Sequence, residues 1–132
     1  MALQFSTTLR NGRADQLTSV IGGTAKLRFY TGSAPADCAT AASGTLLAEL
    51  TCNATFAAAA SGGVLTLNAV TAANASATGT AGYFRIYNSA GSTCHMQGTV
   101  GTSGTDAIVD STSFTSGVQV SVTSWTFTEQ GA

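Results

Sequence analysis

The sequence predicts an all-β protein: an antiparallel β-sandwich, of the jelly-roll type, with one short helix near the N-terminus. Apolar and polar residues alternate at period two over most of the chain, which is typical of strands with one buried face. The runs are short and are separated by turns rich in Gly, Ser and Asn, as in sandwiches and jelly rolls. A length of 132 residues suits a single domain spanning 1–132.

The one helical pattern lies in "NGRADQLTSVIGG", residues 11–23. Leu17, Val20 and Ile21 have the i, i+3, i+4 spacing of a helix face, and Gly22–Gly23 is a stop signal. Before it, "LQFSTTL" has the alternation of a strand. Residues 1–10 are therefore expected either to add an edge strand or to form an N-terminal arm that reaches a neighbour.

Seven strands are expected after the helix, at 24–31, 45–51, 63–68, 82–88, 93–100, 106–110 and 117–128. The apolar phase changes in the last one, where Val118, Val120 and Val122 have one parity and Trp125 and Phe127 the other. A β-bulge near Thr123–Ser124 would return both sets to one core, whereas the alternative is a strand covered on both faces. The expected core is Leu27, Phe29, Phe84, Ile86, Val118, Val120, Val122, Trp125 and Phe127.

Two strands carry nearly the same phrase, "AKLRFYTG" at 25–32 and "AGYFRIYNSAG" at 81–91. Alternation turns the apolar residues of each phrase inward and places Arg28, Tyr30, Arg85 and Tyr87 on the opposite side. We call these four residues the arginine–tyrosine face. Arg and Tyr are enriched at protein interfaces, so we expect this face to point outward and to contact another protein. The alternative is cross-strand Arg–Tyr stacking on an ordinary solvated face.

The composition argues against several classes of function. Charged residues are 8% of the chain, the net charge is −1, and the five basic residues are scattered, which is no footprint for nucleic acid. No apolar run has the length of a membrane span, and the first residues lack a signal-peptide pattern, so synthesis in the cytoplasm is expected. More than half of the residues are Ala, Gly, Ser or Thr, a composition that suits close packing against neighbours; the alternative is a soluble β domain kept apart by its hydroxyl groups.

No catalytic, cofactor-binding or metal-binding set is expected, and so no enzyme and no cofactor. His95 is the only histidine, and in a strand it faces away from Cys94 and Met96, so the three cannot converge on a metal. An odd count of three cysteines argues against a disulfide framework. However, Cys38 and Cys94 each follow an Arg-Tyr phrase at similar distance, so they could come close in space if the two phrases are neighbouring strands.

The chain resembles small virion structural proteins of tailed bacteriophages and prophages. The segments that carry the resemblance are "LQFSTTLRNGRADQLTSVIGGTAKLRFYTGSAPADC", "GTLLAEL" and "GTAGYFRIYNSAGSTCHMQGTV", within residues 3–50 and 79–100. The Ala-rich stretch 52–78 matches nothing in that group. The resemblance implies a capsid cement, or decoration, protein that binds the outside of the capsid and stabilises it.

On this interpretation the partners are the major capsid protein, copies of this chain, or both. The protein would be located on the virion surface, with no nucleic acid or membrane partner. Two alternatives stay open: a phage tail or fibre component, and a carbohydrate-binding β-sandwich that uses Trp125, Tyr30 or Tyr83 as a sugar platform.

Overall fold

The computed structural model describes residues 3–129, which form one N-terminal helix followed by a mostly β chain. Helix α1 is Thr7–Ile21. The strands are β1 (Lys26–Thr31), β2 (Leu46–Thr51), β3 (Val64–Thr66), β4 (Ala73–Asn74), β5 (Gly79–Tyr87), β6 (Cys94–Gly101), β7 (Ala107–Val109), β8 (Ser113–Phe114), β9 (Gln119–Val120) and β10 (Val122–Thr128). Each of the seven strands expected from the sequence overlaps at least one of these.

Helix α1 begins four residues earlier than the sequence pattern predicted, because Ser6 caps it. The Ser6 side chain accepts a hydrogen bond from the Leu9 amide at 3.1 Å. The helix ends at Gly22, whose positive φ of 80° favours glycine, as the stop signal predicted. The expected N-terminal strand is therefore wrong for residues 7–10, and an arm could only precede them; Met1 and Ala2 lie outside the described residues.

Polar side chains attach α1 to the turn at residues 60–63. Asp15 accepts from the Ala60 amide at 2.7 Å, Asn11 accepts from the Gly63 amide at 2.7 Å, and Arg10 donates to the Gly62 carbonyl. Ala14 and Ile21 are the buried residues of α1 and pack into the core. Within residues 3–129, no helix is long and apolar enough to cross a membrane.

The strands form one curled sheet in the order β2-β1-β5-β6-β7-β10-β3, with β8 added to β5, and a separate β4-β9 pair. Both outer edges of the sheet are covered. The Thr71 and Ser76 amides bind carbonyls of β2, and Val64 of β3 exchanges backbone hydrogen bonds with Ser61. The strand pairing gives one continuous sheet and does not show a second sheet layer packed against it. The two-layer sandwich expected from the sequence therefore stays a prediction.

The purely antiparallel sheet expected from the sequence is wrong at one place, because β6 and β7 pair in parallel. After β6 the chain makes a tight return through Gly104, which has a φ of 66°. The Asp106 carboxylate fixes this return by accepting from the Thr99 amide at 3.0 Å and the Thr99 hydroxyl at 3.1 Å. The sheet is therefore mixed.

The phase change in the last strand is a β-bulge, as predicted. The register between β10 and β7 shifts between Val122 and Ser124. The bulge allows Val120, before β10, and Trp125, after the shift, both to lie in the core.

The core prediction is mostly confirmed. Buried members are Leu27, Phe29, Phe84, Ile86, Val120 and Trp125, while Val122 and Phe127 are partly buried. Val118 is the error, since it is 56% exposed. It lies in the turn after Gly117, where strand alternation does not apply.

We predict that truncating side chains to Ala distinguishes the buried core positions from the exposed Val118. Phe84→Ala and Trp125→Ala should each lower the free energy of unfolding by about 3–5 kcal/mol, because each leaves a cavity in the core. Val118→Ala should change it by less than about 0.5 kcal/mol. Urea denaturation measures all three, and equal losses for Val118→Ala and Phe84→Ala would contradict the assigned core.

Candidate functional site: a covered arginine–tyrosine face

The two Arg-Tyr phrases are neighbouring antiparallel strands, β1 and β5. Arg28 lies directly opposite Arg85, Tyr30 opposite Tyr83, and Lys26 opposite Tyr87. Directly opposed residues of two strands share one face of the sheet. The four residues of the arginine–tyrosine face therefore lie together, as the alternation predicted.

The expectation that this face points outward is wrong for three of its four residues. Arg85 is 1% exposed, Tyr30 is 6% exposed and Tyr87 is 8% exposed. The segment between β1 and β2, residues 32–45, lies over them, and we call it the covering loop. Its residues are mostly exposed and small. On this side of the molecule the covering loop therefore faces the solvent, where the sequence predicted that the sheet itself would do so.

The Arg85 guanidinium holds the covering loop by its backbone. Its Nη2 donates to the carbonyl of Thr40 at 2.7 Å and to the carbonyl of Asp37 at 3.1 Å. Its Nε donates to Gln97 Oε1 at 3.1 Å, and its Nη1 donates to the Tyr87 hydroxyl. Arg stays charged in proteins, so a buried guanidinium needs such acceptors on every side.

Two further side chains bind the loop beside Arg85. Gln97 Nε2 donates to the Pro35 carbonyl at 2.7 Å. The Tyr83 hydroxyl donates to the Ser43 carbonyl at 2.6 Å and accepts from the Ser43 amide at 3.1 Å. The loop is thus fixed at both its ends and its middle, although it has no regular secondary structure.

A disulfide between Cys38 and Cys94 joins the middle of the covering loop to the first residue of β6, with the Cα atoms 5.4 Å apart. This is the pair whose approach the Arg-Tyr spacing allowed. The argument against a disulfide framework from the odd cysteine count is thereby corrected: the third cysteine, Cys52, is free and buried. Burial raises the pKa of the Cys52 thiol to about 11, so it is a poor nucleophile at neutral pH.

Arg28 lies at the margin of the face and is the member that reaches solvent. Its Nε pairs with Glu49 Oε2 at 2.6 Å, and its guanidinium lies over the Tyr87 ring at 4.5 Å from the centroid. These contacts explain how two arginines tolerate directly opposed positions. Arg28 is balanced by a carboxylate and an aromatic ring, and Arg85 by carbonyl dipoles.

The tyrosines form a stacked and hydrogen-bonded set. The rings of Tyr30 and Tyr83 stack at 5.2 Å with an interplanar angle of 12°. Burial, with hydrogen bonding to Tyr87, raises the pKa of Tyr30 to about 12. For Tyr87 burial acts to raise the pKa, but hydrogen bonds from Arg85 and Tyr30 outweigh it and lower the net pKa. The raised pKa makes the Tyr30 phenol unsuited to proton transfer near neutral pH.

Metal sites and ligand cavities are the other kinds of functional site to be considered among the described residues outside the arginine–tyrosine face. No group of three metal-ligating side chains occurs among residues 3–129. The largest cavity described, beside Trp125, has a volume of about 170 Å³. Ligand pockets usually enclose roughly 300–1,000 Å³. The contacts of the arginine–tyrosine face, by comparison, hold the covering loop in place.

The sequence places a loop between the first two strands, but it does not predict that this loop covers the arginine–tyrosine face through backbone groups of Asp37, Thr40 and Ser43. The loop has no hydrophobic periodicity. Its acceptors are main-chain carbonyls, which every residue has, so the sequence does not show which of them bind Arg85. One signal was present: Cys38 in the middle of this segment, with its spacing matched to Cys94. Comparison of the chain with family models, with curated proteins and with solved structures found no match in any of the three.

We predict that Arg85→Ala lowers the free energy of unfolding by about 3 kcal/mol, because it removes several charge-assisted hydrogen bonds from a buried site. The covering loop should also become a site of limited proteolysis. The control Arg28→Ala, which removes a partly exposed ion pair, should cost about 1 kcal/mol. An Arg85→Ala variant with parental stability and an uncut loop would contradict the role assigned to Arg85.

The disulfide determines how many thiols of the chain we expect to react with an alkylating reagent. Alkylation without reductant should leave the native protein unlabelled, because its single free thiol, Cys52, is buried, and should add one label after unfolding. Replacing Cys38 and Cys94 by Ser should lower the free energy of unfolding by about 2–4 kcal/mol. Intact-mass measurement reads the labels, and three labels on the unreduced, unfolded chain would refute the pairing.

Proposed function

We propose that this protein is a structural component of a tailed-phage particle, a decoration protein that binds the outside of the capsid. The observation that carries the proposal is the covering loop, an exposed segment of small, mostly uncharged residues held rigid by a buried arginine and a disulfide. A pre-ordered surface loses little conformational entropy on binding. Small side chains also let a partner's backbone approach closely.

The resemblance of residues 3–50 and 79–100 to phage virion proteins supports this class of function. Both segments belong to the same substructure, since the first contains β1 and the covering loop and the second contains β5 and β6, which bind that loop. The disulfide suits a protein that leaves the cytoplasm within a released particle, because disulfides persist in oxidising surroundings. A two-layer jelly-roll sandwich remains part of the proposal.

The docking surface that we now propose is the covering loop together with Arg28 at its margin. Tyr30, Arg85 and Tyr87 act from beneath the loop and hold it in place. The partner is the major capsid protein, a second copy of this chain, or both. A tail or fibre component is the second candidate, because the same rigid surface would serve there.

A carbohydrate-binding module is disfavoured by the placement of its platform residues. Sugar platforms need an exposed aromatic face, but Trp125 and Tyr83 are 5% and 1% exposed and Tyr30 is stacked under the loop.

We predict that a charge placed on the covering loop weakens attachment to particles. Ala41→Glu should reduce binding to capsids that lack the protein by at least about tenfold, because an unpaired carboxylate would be desolvated at the contact. The matched control is Ala58→Glu, another exposed alanine outside the loop, which should bind like the parent. Co-sedimentation with such capsids measures both.

Equal binding by Ala41→Glu and the parent would show that the loop is not the contact. Failure of the parent to bind capsids, with binding to purified tails, would replace the decoration role by the tail role. Failure to bind either would refute the proposed function.

A further inference from the structure

The covering loop is bound to the sheet by hydrogen bonds on both sides of Cys38. The carbonyls of Asp37 and Thr40, which flank Cys38 in the chain, both accept from Arg85 Nη2. These contacts involve no sulfur atom. The position of Cys38 over the sheet therefore does not depend on the disulfide alone.

The second cysteine is placed by the sheet itself. Cys94 is the first residue of β6 and lies opposite Tyr87 of β5. Gln97 of the same strand donates to the Pro35 carbonyl at 2.7 Å, so the strand that carries Cys94 also binds the loop shortly before Cys38. The two cysteines are thus held with their Cα atoms 5.4 Å apart, within the range that a disulfide requires.

The cysteine pair is within reach of small reagents. Cys38 and Cys94 are both partly exposed, whereas Cys52 is buried. Thiol–disulfide exchange depends on such access to the sulfur atoms. A small thiol or a small disulfide can therefore reduce or oxidise this pair without unfolding the chain.

The distance between the two cysteines along the chain makes their positioning important. They are 56 residues apart in sequence, and bringing together the ends of a flexible segment of that length costs conformational entropy. Holding two reacting groups in place beforehand raises their effective concentration. The coupling is reciprocal: contacts that favour the disulfide by closing the loop are themselves favoured by the disulfide to the same extent.

We propose that Arg85 and Gln97 close the covering loop while Cys38 and Cys94 are still thiols, and that oxidation then locks a loop that is already in place. The disulfide secures the order of the loop and is not the origin of that order. A chain with reduced cysteines therefore presents the same loop surface as the oxidised chain. This inference concerns the chain alone and is independent of the function proposed above.

The locking step is thiol–disulfide exchange with a small disulfide such as oxidised glutathione. One cysteine thiolate attacks the glutathione disulfide, which forms a mixed disulfide and releases one glutathione thiolate. The other cysteine thiolate attacks the protein sulfur of the mixed disulfide and releases the second glutathione thiolate. Two cysteine sulfurs are oxidised, one glutathione disulfide is reduced to two thiols, and the released thiolates take up the two protons that the cysteines lose.

The first measurement tests whether the loop is closed without the disulfide. The covering loop contains no Lys or Arg, so proteinase K is used in place of trypsin, on reduced and oxidised full-length protein under conditions where circular dichroism shows the fold. We expect the reduced parent to be cut within residues 32–45 at most about threefold faster than the oxidised parent. Reduced Arg85→Ala should be cut there at least about tenfold faster than the reduced parent.

The second measurement gives the effective concentration of the two thiols. Each protein is equilibrated in mixtures of reduced and oxidised glutathione, quenched with an alkylating reagent and read by intact mass. Gln97→Glu keeps an acceptor for Arg85 but removes the donor to Pro35, and Arg28→Ala is the matched control, because Arg28 donates to Glu49 and not to the loop. We expect Gln97→Glu to lower the effective concentration at least about tenfold, the equivalent of one hydrogen bond, and Arg28→Ala to leave it within about twofold of the parent.

Gln97→Glu carries the test even where Arg85→Ala does not fold, because it leaves the buried guanidinium in place. A reduced parent whose loop is cut as fast as an unfolded chain would overturn the proposal, since the loop would then be closed by the disulfide alone. An effective concentration of thiols that is the same in Gln97→Glu as in the parent, with both proteins folded, would overturn it as well.

Discussion

The burial of the Arg85 guanidinium is the constraint on which this half of the molecule depends. A cation that cannot lose its proton is stable inside a protein only if dipoles or opposite charges surround it. Gln97 and Tyr87 supply part of that shell from the sheet, but the carbonyls of Asp37 and Thr40 come from the covering loop. If the loop opened, the guanidinium would lose two acceptors at once, so loop closure and burial of Arg85 stabilise each other.

This coupling changes the meaning of the repeated phrase. The same alternation that places Arg28, Tyr30, Arg85 and Tyr87 on one face would serve a solvated interface equally well, and only the loop distinguishes the two outcomes. Hydrogen bonds donated by the Thr40 side chain and backbone hold the pKa of Asp37 below its usual range, so its carboxylate stays ionised while its carbonyl serves Arg85. The arginine–tyrosine face therefore supports the covering loop from beneath.

The sequence predicted those features that have a period or a local stop signal. The strands other than β4 and β8, the shared face of Arg28 and Arg85, the bulge in β10 and the helix end at Gly22 were all predictable from alternation, parity or glycine. Features that depend on distant partners were not: the covering loop closes because carbonyls meet Arg85 across about 45 residues of chain, and the parallel β7 depends on one carboxylate, Asp106, binding back to Thr99. Val118 was misassigned because a turn interrupts the alternation one residue before it.

The scarcity of charge has a structural explanation in how the basic residues are used. Each one joins separate elements of the fold: Arg10 binds the turn at Gly62, Arg13 binds Glu129 after β10, Lys26 binds Thr51 across β1 and β2, Arg28 binds Glu49, and Arg85 binds the covering loop. Basic side chains engaged in this way contribute little to a repulsive surface, and the remaining exterior is dominated by hydroxyl and methyl groups. Such an exterior resists close approach of neighbours far less than a charged one does. A chain whose few cations are engaged in contacts within the fold is therefore suited to dense packing, which is the situation that the proposed contact through the covering loop would use.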